Sequence, residues 1–153
     1  MRCDLFTVAE STSIDVTTNR LSVFNIFDEI NTPSLPTILP GLAVVIMLTR
    51  DESEPDDVEI QISVSLNGRP LAQLPVTSSF QSKLKARIVA TVQGMIFTEQ
   101  GMYELAGHRG DERLGAWNLQ VNLIPTTAQP QIQAVETVPV SSPRTPSDES
   151  TPR

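Results

Sequence analysis

Three basic side chains at alternate positions are the strongest candidate for a binding site in this sequence. Lys83, Lys85 and Arg87 alternate with apolar residues between positions 83 and 88. On a β-strand, a spacing of two places all three on one face. Such a stripe could dock an acidic partner, or it could be a solvated face whose lysines discourage edge-to-edge pairing. Because no aromatic residues are interleaved with the charges, the pattern predicts no nucleic-acid binding.

The second cluster of ionisable groups is the segment 51–59, which carries six acids in nine residues. Closely spaced carboxylates could bind Ca²⁺, which takes about six to eight oxygen ligands. The segment lacks the glycine and the register of a known calcium loop. We favour a solvated hairpin tip that is kept open by its own charge repulsion.

The remaining reactive residues are isolated. His108 is the only histidine and Cys3 the only cysteine, so the chain cannot supply a metal cluster of several His and Cys ligands. His108 falls in a predicted hairpin loop at 107–113, where it is either a proton shuttle or a solvated residue. No nucleophile elbow, P-loop or dinucleotide fingerprint is present. The sequence therefore predicts no catalytic residues, no metal site and no cofactor.

Charge and hydropathy limit the partners of the chain. Among its 153 residues are 11 basic and 18 acidic ones, which give a net charge of −7. This balance argues against a broad basic field for nucleic acid or an anionic membrane. The longest apolar run, 42–48, is about a third of a membrane span, and the first residues do not resemble a signal peptide. We expect a cytoplasmic protein.

Hydrophobic residues recur with a period of two along most of the chain. The clearest examples are 58–66 and 117–123, which predict strands with one apolar face and a buried Trp117. Weaker patterns predict strands at 4–9, 20–27, 42–48, 86–92 and 102–106. The run 20–27 has apolar groups on both faces, as a central strand would. Asn67-Gly68 predicts a two-residue hairpin turn.

About seven or eight strands without a crossover helix predict an all-β fold for residues 1–125. The expected architecture is an antiparallel two-sheet sandwich of the immunoglobulin-like or jelly-roll-like kind. Residues 126–153 contain five Pro and nine Ser or Thr, with no aromatic residue and no glycine. This composition predicts a disordered tail. Within the tail, 134–140 could be an extended ligand for a partner's sheet edge, and three Ser-Pro or Thr-Pro dipeptides could be modification sites.

Two segments carry a resemblance to a known family. They are the run Arg20–Ile30, with the prolines after it, and the late Gly101-Met-Tyr103. In these segments the chain resembles an uncharacterised family of small bacterial β-sandwich proteins. The resemblance covers most of residues 3–124 and none of the tail. It implies the sandwich fold and brings no assigned activity. Asn25 stands where the family's pattern leads us to expect a glycine.

Together these patterns predict a non-catalytic module for protein–protein interaction or assembly, either monomeric or weakly self-associating. The candidate partner-binding residues are Lys83, Lys85 and Arg87. The alternative is a small-molecule or carbohydrate binding domain, or an enzyme without a recognisable motif. Such a pocket would need convergent polar groups and exposed aromatic side chains.

Overall fold

The computed structural model describes residues 1–124, in which every regular element is a β-strand. The strands are β1 (Arg2–Ile14), β2 (Leu21–Ile26), β3 (Glu29–Thr32), β4 (Thr37–Thr49), β5 (Asp57–Leu66), β6 (Arg69–Ser79), β7 (Lys85–Phe97), β8 (Gly101–Arg109) and β9 (Glu112–Leu123). The predicted all-β fold of two packed sheets is confirmed. No helix in this part of the chain is long and apolar enough to cross a membrane. The tail predicted at 126–153, with its candidate ligand segment and dipeptides, lies outside the described residues.

The two sheets have different widths. A four-stranded sheet has the order β2-β1-β4-β7, and a five-stranded sheet has the order β3-β9-β8-β5-β6. All neighbouring strands are antiparallel except β3 and β9, which run parallel over four residues. The longest pairing joins β4 to β7, from Thr37 opposite Phe97 to Thr49 opposite Lys85.

The core lies between the sheets and is built from the alternating residues of the sequence. On β5, the residues Val58, Ile60, Ile62 and Leu66 are buried, as their period of two predicts. On β9, the pattern holds only in the middle of the strand. Trp117 packs against the core but is half-buried rather than buried, and Leu123 is 47% exposed. The structure therefore corrects the prediction of a buried Trp117, because the side chain is only partly buried.

The turn after β5 follows its sequence signal. Asn67 and Gly68 have φ angles of 48° and 81°, and these positive values are those that a two-residue hairpin turn requires. The predicted loop 107–113 is shorter than expected, since β8 continues to Arg109 and β9 begins at Glu112. His108 is consequently a strand residue, paired with Arg113 of β9.

The run 20–27 is not a central strand, which corrects the expectation from its apolar residues. β2 lies at the edge of the four-stranded sheet, and Phe24 and Ile26 are 48% and 53% exposed. Asn25 has a φ of 54°, a left-handed conformation in which glycine carries no steric penalty and asparagine a small one. The departure from the expected glycine at this position therefore preserves the backbone geometry.

The hairpin formed by β1 and β2 turns back over the outer face of the four-stranded sheet. β1 pairs with β4 only as far as Ala9 and continues beside β2 alone. A straight hairpin would carry its tip roughly 30 Å from Arg87 of β7, at about 3.3 Å per residue. Instead, the Arg87 guanidinium donates to the Oδ1 and backbone carbonyl of Asn19 at 2.8 and 3.2 Å. The return path crosses a face on which Ala43 and Val45 are buried.

Close contact between the sheets depends on a glycine of β9. A Cβ at Gly115 would lie 2.9 Å from the Cβ of Phe6 and 3.3 Å from the Sγ of Cys3. Phe6 cannot move away without shifting β1, because its Cβ is fixed to the backbone. We expect Gly115→Ala to lower the free energy of unfolding by about 2 kcal/mol through overpacking.

The matched control for this prediction is Gly41→Ala. A Cβ at Gly41 would meet only the Val92 carbonyl oxygen at 3.8 Å, so the variant should unfold within about 0.5 kcal/mol of the parent. Urea denaturation measures both variants. Equal free energies of unfolding for Gly115→Ala and Gly41→Ala would show that the sheets move apart at Gly115 without a measurable loss of stability.

Candidate functional site

The three predicted basic residues border one surface depression. It has a volume of about 300 Å³, and Asn19, Phe80, Lys83, Lys85 and Arg87 are among its lining residues. They come from the tip of the β1–β2 hairpin, the β6–β7 loop and the start of β7. We call Lys83, Lys85 and Arg87 the basic cluster. The structure thus brings together the residues that the spacing singled out.

The cluster is not a uniform strand face. Lys83 lies in the turn before β7, whereas Lys85 and Arg87 lie on the strand, opposite Thr49 and Met47 of β4. Both lysines are exposed, and Arg87 is half-buried. The Arg87 guanidinium donates hydrogen bonds to Asn19, so Arg87 already has a partner within the chain. The two lysines have no hydrogen-bond or salt-bridge partner for their side-chain nitrogens among residues 1–124.

Arg50 fixes the loop that carries Lys83. Its side chain is only 9% exposed and forms a salt bridge of 3.1 Å with Asp56. Its Nε donates to the Lys83 carbonyl oxygen at 3.0 Å, and its Nη1 donates to the Glu54 carbonyl oxygen. Its guanidinium carbon also lies 5.3 Å from the centroid of the Phe80 ring, within the range of a cation–π contact. One side chain therefore joins the segment 51–56 to the β6–β7 loop.

The β6–β7 loop holds an unusual backbone conformation. Gln81 and Ser82 have φ angles of 52° and 61°, which are unfavourable for residues other than glycine. Asp56 stabilises this conformation, since its Oδ1 accepts from the backbone N–H of Ser82 at 2.7 Å and its Oδ2 from the Ser79 hydroxyl at 3.1 Å. The buried Phe80 lies between these contacts. The hydrogen bonds of Asp56 therefore fix the backbone of the loop that borders the basic cluster.

The acidic segment differs from the expected self-repelling tip. Glu54 accepts from the Met1 ammonium and from Arg109, whose Nη1 is 3.0 Å from its Oε1. Asp56 pairs with Arg50. Two of the six carboxylates thus form salt bridges with cations that lie outside the segment, and Arg50 is its immediate neighbour in sequence. No group of three His, Cys, Asp or Glu side chains suited to a metal ion occurs within residues 1–124.

These contacts set the acid response of Glu54. Bonds from the Met1 ammonium, the Asp51 backbone N–H and Arg109 lower the pKa of this carboxyl from 4.5 to about 2. A lowered pKa in the folded state means that protonation favours unfolding. We expect Glu54 to contribute stability above pH 4.5 and to lose that contribution as the pH falls from 4.5 to about 2.

Thermal unfolding of the parent and of Glu54→Gln, measured between pH 7 and pH 2, tests this assignment. The difference in melting temperature between them should be largest at neutral pH and should shrink as the pH falls. Parallel curves over the whole range would show that Glu54 is not held ionised by these partners.

The two isolated reactive residues, Cys3 and His108, lie in different strands. Burial raises the pKa of the Cys3 thiol, which disfavours the nucleophilic thiolate. The Cys3 thiol donates to the Leu5 carbonyl oxygen at 3.2 Å. His108 is half-buried in β8, opposite Gln61 of β5. Neither residue borders the depression of the basic cluster.

Sequence reasoning missed three parts of the site: Asn19, Arg50 and Phe80. Asn19 and Arg50 lie 68 and 33 residues from their partners Arg87 and Lys83, and no local period links such distant positions.

The comparisons with known proteins identify a family without identifying an activity. No curated protein and no solved structure matches the chain. A family model with the description "Family of unknown function (DUF6941)" matches residues 4–122, which spans all nine strands almost completely. The chain belongs to this family of unknown function, DUF6941.

Proposed function

We propose that this domain is a non-catalytic module that binds an acidic protein partner through the basic cluster. The observation that carries the proposal is the convergence of Lys83, Lys85 and Arg87 on one depression of a chain whose net charge is −7. Elsewhere, Arg50, Arg69, Arg109 and Arg113 lie in salt bridges with acids of the same chain. The two lysines of the cluster are thus available to carboxylates of a partner.

The shape of the site favours a macromolecular partner over a small ligand. The depression is open, and its aromatic residue, Phe80, is buried beneath it rather than exposed. Small-molecule sites usually enclose most of the ligand and present a few convergent polar groups. A shallow basic surface beside a fixed loop suits a protein segment instead. Its charges would act mainly on the rate of association.

The test neutralises the two lysines and leaves Arg87 in place, since Arg87 holds the hairpin. We expect K83Q/K85Q to change the free energy of unfolding by no more than about 0.5 kcal/mol, as is usual for exposed residues. Recovery of a specific partner by cross-linking in the native cell should fall several-fold. Because exposed charges are screened by salt, the loss should be greatest when the cells are permeabilised in low-salt buffer before the cross-linker is added.

The matched control is R69Q/R113Q, which removes the same charge from exposed salt bridges with Glu99 and Glu104. Mass spectrometry of the cross-linked samples should show the same partner for this variant as for the parent. If both double variants lose the partner equally, net charge rather than the basic cluster controls binding, and the proposed site is wrong.

A further inference from the structure

The sheet edge next to the basic cluster is the least protected edge of the sandwich. The three other edge strands are shielded by recognised devices: β2 has the left-handed Asn25, β3 has only four residues, and β6 contains Pro70 and Pro75. By contrast, β7 has 13 residues and no proline. Its left-handed Gly94 lies near its end and its charged residues, Lys85 and Arg87, lie at its start. The six residues 88–93 between them carry none of these devices. Within residues 1–124 it pairs with β4 alone.

The opposite sheet extends beyond this edge. β6 is the last strand of the five-stranded sheet and β7 is the last strand of the four-stranded one. The two strands lie on the same side of the sandwich, because residues of both line one gap between the sheets. Its residues Ala72 and Leu74 pair with the core-facing Val64 and Ile62 of β5. Both are nevertheless exposed, Leu74 by 39%. The core-facing side of β6 therefore lacks a strand opposite it.

An apolar gap marks the place of this missing strand. It has a volume of about 220 Å³ and lies between the sheets, with Ala72 and Leu74 of β6 on one side and Val92 and Met95 of β7 on the other. A strand added beside β7 would point every second side chain into this gap. Its other side chains would share the outer face of β7 with Lys85 and Arg87.

We propose that the acidic partner supplies an extended segment that adds to the free edge of β7 as a fifth strand. This inference rests on the proposed function, because it assumes the same acidic partner. What it adds is the way in which that partner binds. Backbone hydrogen bonds to β7 would give affinity, and alternate side chains would give specificity. The segment would carry apolar residues toward the gap and carboxylates toward Lys85 and Arg87.

A synthetic peptide can present this pattern directly. In acetyl-TVTVTVEVE-amide, antiparallel addition places both glutamates opposite Lys85 and Arg87 and turns the valines toward the gap. The control peptide acetyl-TVTVTEVEV-amide has the same composition but turns its glutamates inward. Binding to the full chain is measured by fluorescence anisotropy of labelled peptide and by amide chemical shifts of ¹⁵N-labelled protein.

We expect the first peptide to bind at least tenfold more tightly than the control, with shifts centred on β7 and on Ala72 and Leu74. Ala72→Glu should weaken this binding at least tenfold, since a carboxylate would enter an apolar gap. Gln61→Glu adds the same charge to the exposed side of β5 and should leave binding unchanged. Melting curves confirm that each variant is folded.

The outcomes separate this inference from the proposed function. If K83Q/K85Q weakens peptide binding but Ala72→Glu does not, the acidic partner remains and strand addition is wrong. If Ala72→Glu weakens binding but K83Q/K85Q does not, the peptide adds to β7 without any contribution from the two lysines. The proposal of an acidic partner is then wrong. Failure of the first peptide to bind at millimolar concentration overturns strand addition.

Hydrogen exchange without peptide tests two other occupants of the edge. Protection of β7 amides that rises with protein concentration would assign the edge to a second copy of the chain. Full protection of both sides of β7 at every concentration would assign it to another part of the same chain. Either result overturns the proposal, whereas faster exchange on the free side of β7, slowed by the first peptide, supports it.

Discussion

Truncation of Tyr103 to alanine should lower the free energy of unfolding by about 3–5 kcal/mol, the usual cost of removing a large buried aromatic side chain. Tyr103 is fully buried. Its ring meets that of Phe97 edge to face, with the centroids 4.9 Å apart and the planes at 88°. Its hydroxyl donates to the Glu99 carbonyl oxygen at 3.0 Å. The side chain thus joins β8 to β7 and to the loop between them.

Tyr103→Phe separates the two contributions. The ring remains and only the bond to Glu99 is lost, so the variant should lose about 1 kcal/mol. Urea denaturation followed by Trp117 fluorescence measures both variants, since the half-buried indole will be released to solvent on unfolding. A loss below about 1 kcal/mol for Tyr103→Ala, against the usual cost of such a truncation, would mean that β7 and β8 pack without this ring.

Replacement of Arg50 by alanine should cost about 3 kcal/mol, because a nearly buried cation with hydrogen bonds to a carboxylate and two carbonyl groups is lost. Asp56 would lose its salt-bridge partner, and the Lys83 carbonyl would lose its donor. The left-handed conformations of Gln81 and Ser82 would then lack part of their support. We therefore also expect the amide resonances of residues 80–84 to broaden.

Two further variants define what Arg50 does. Arg50→Lys keeps the charge but not the planar fork of donors, so it should recover only part of the lost stability. Arg69→Ala removes an arginine from an exposed pair with Glu99, in which the side chains are 60% and 58% exposed, and should cost no more than about 1 kcal/mol. If Arg50→Ala costs as little as Arg69→Ala, the loop is held by Asp56 and the Phe80 ring without the guanidinium.

Arg50 also links stability to the proposed binding site. A destabilised β6–β7 loop would still carry Lys83, but in several positions relative to Lys85. Ordering the loop on binding would then cost conformational entropy. Arg50 is accordingly a positioning residue in the proposed function, and Arg50→Lys should weaken partner binding more than its effect on global stability alone would explain.

The sequence by itself determined the class of fold, one turn and the candidate cluster. Alternation on 58–66 predicted the core face of β5, because successive side chains of a strand point to opposite sides. Asn67-Gly68 predicted its turn, because the conformations of two adjacent residues define it. The spacing of Lys83, Lys85 and Arg87 predicted one strand face, which holds for Lys85 and Arg87 on β7 but not for Lys83, which precedes the strand. Each of these properties depends on residues close together in the chain.

Only the tertiary structure decided the order of the strands and the surroundings of the cluster. Apolar residues on both faces of 20–27 could not distinguish a central strand from an edge strand, because a local pattern records the polarity of a face and not the number of neighbours. The contacts of Arg87 with Asn19 and of Arg50 with Lys83 join segments that are far apart in sequence. The gap beneath β7 arises because one sheet extends beyond the other. These features follow from the packing of whole sheets, which no short stretch of sequence specifies.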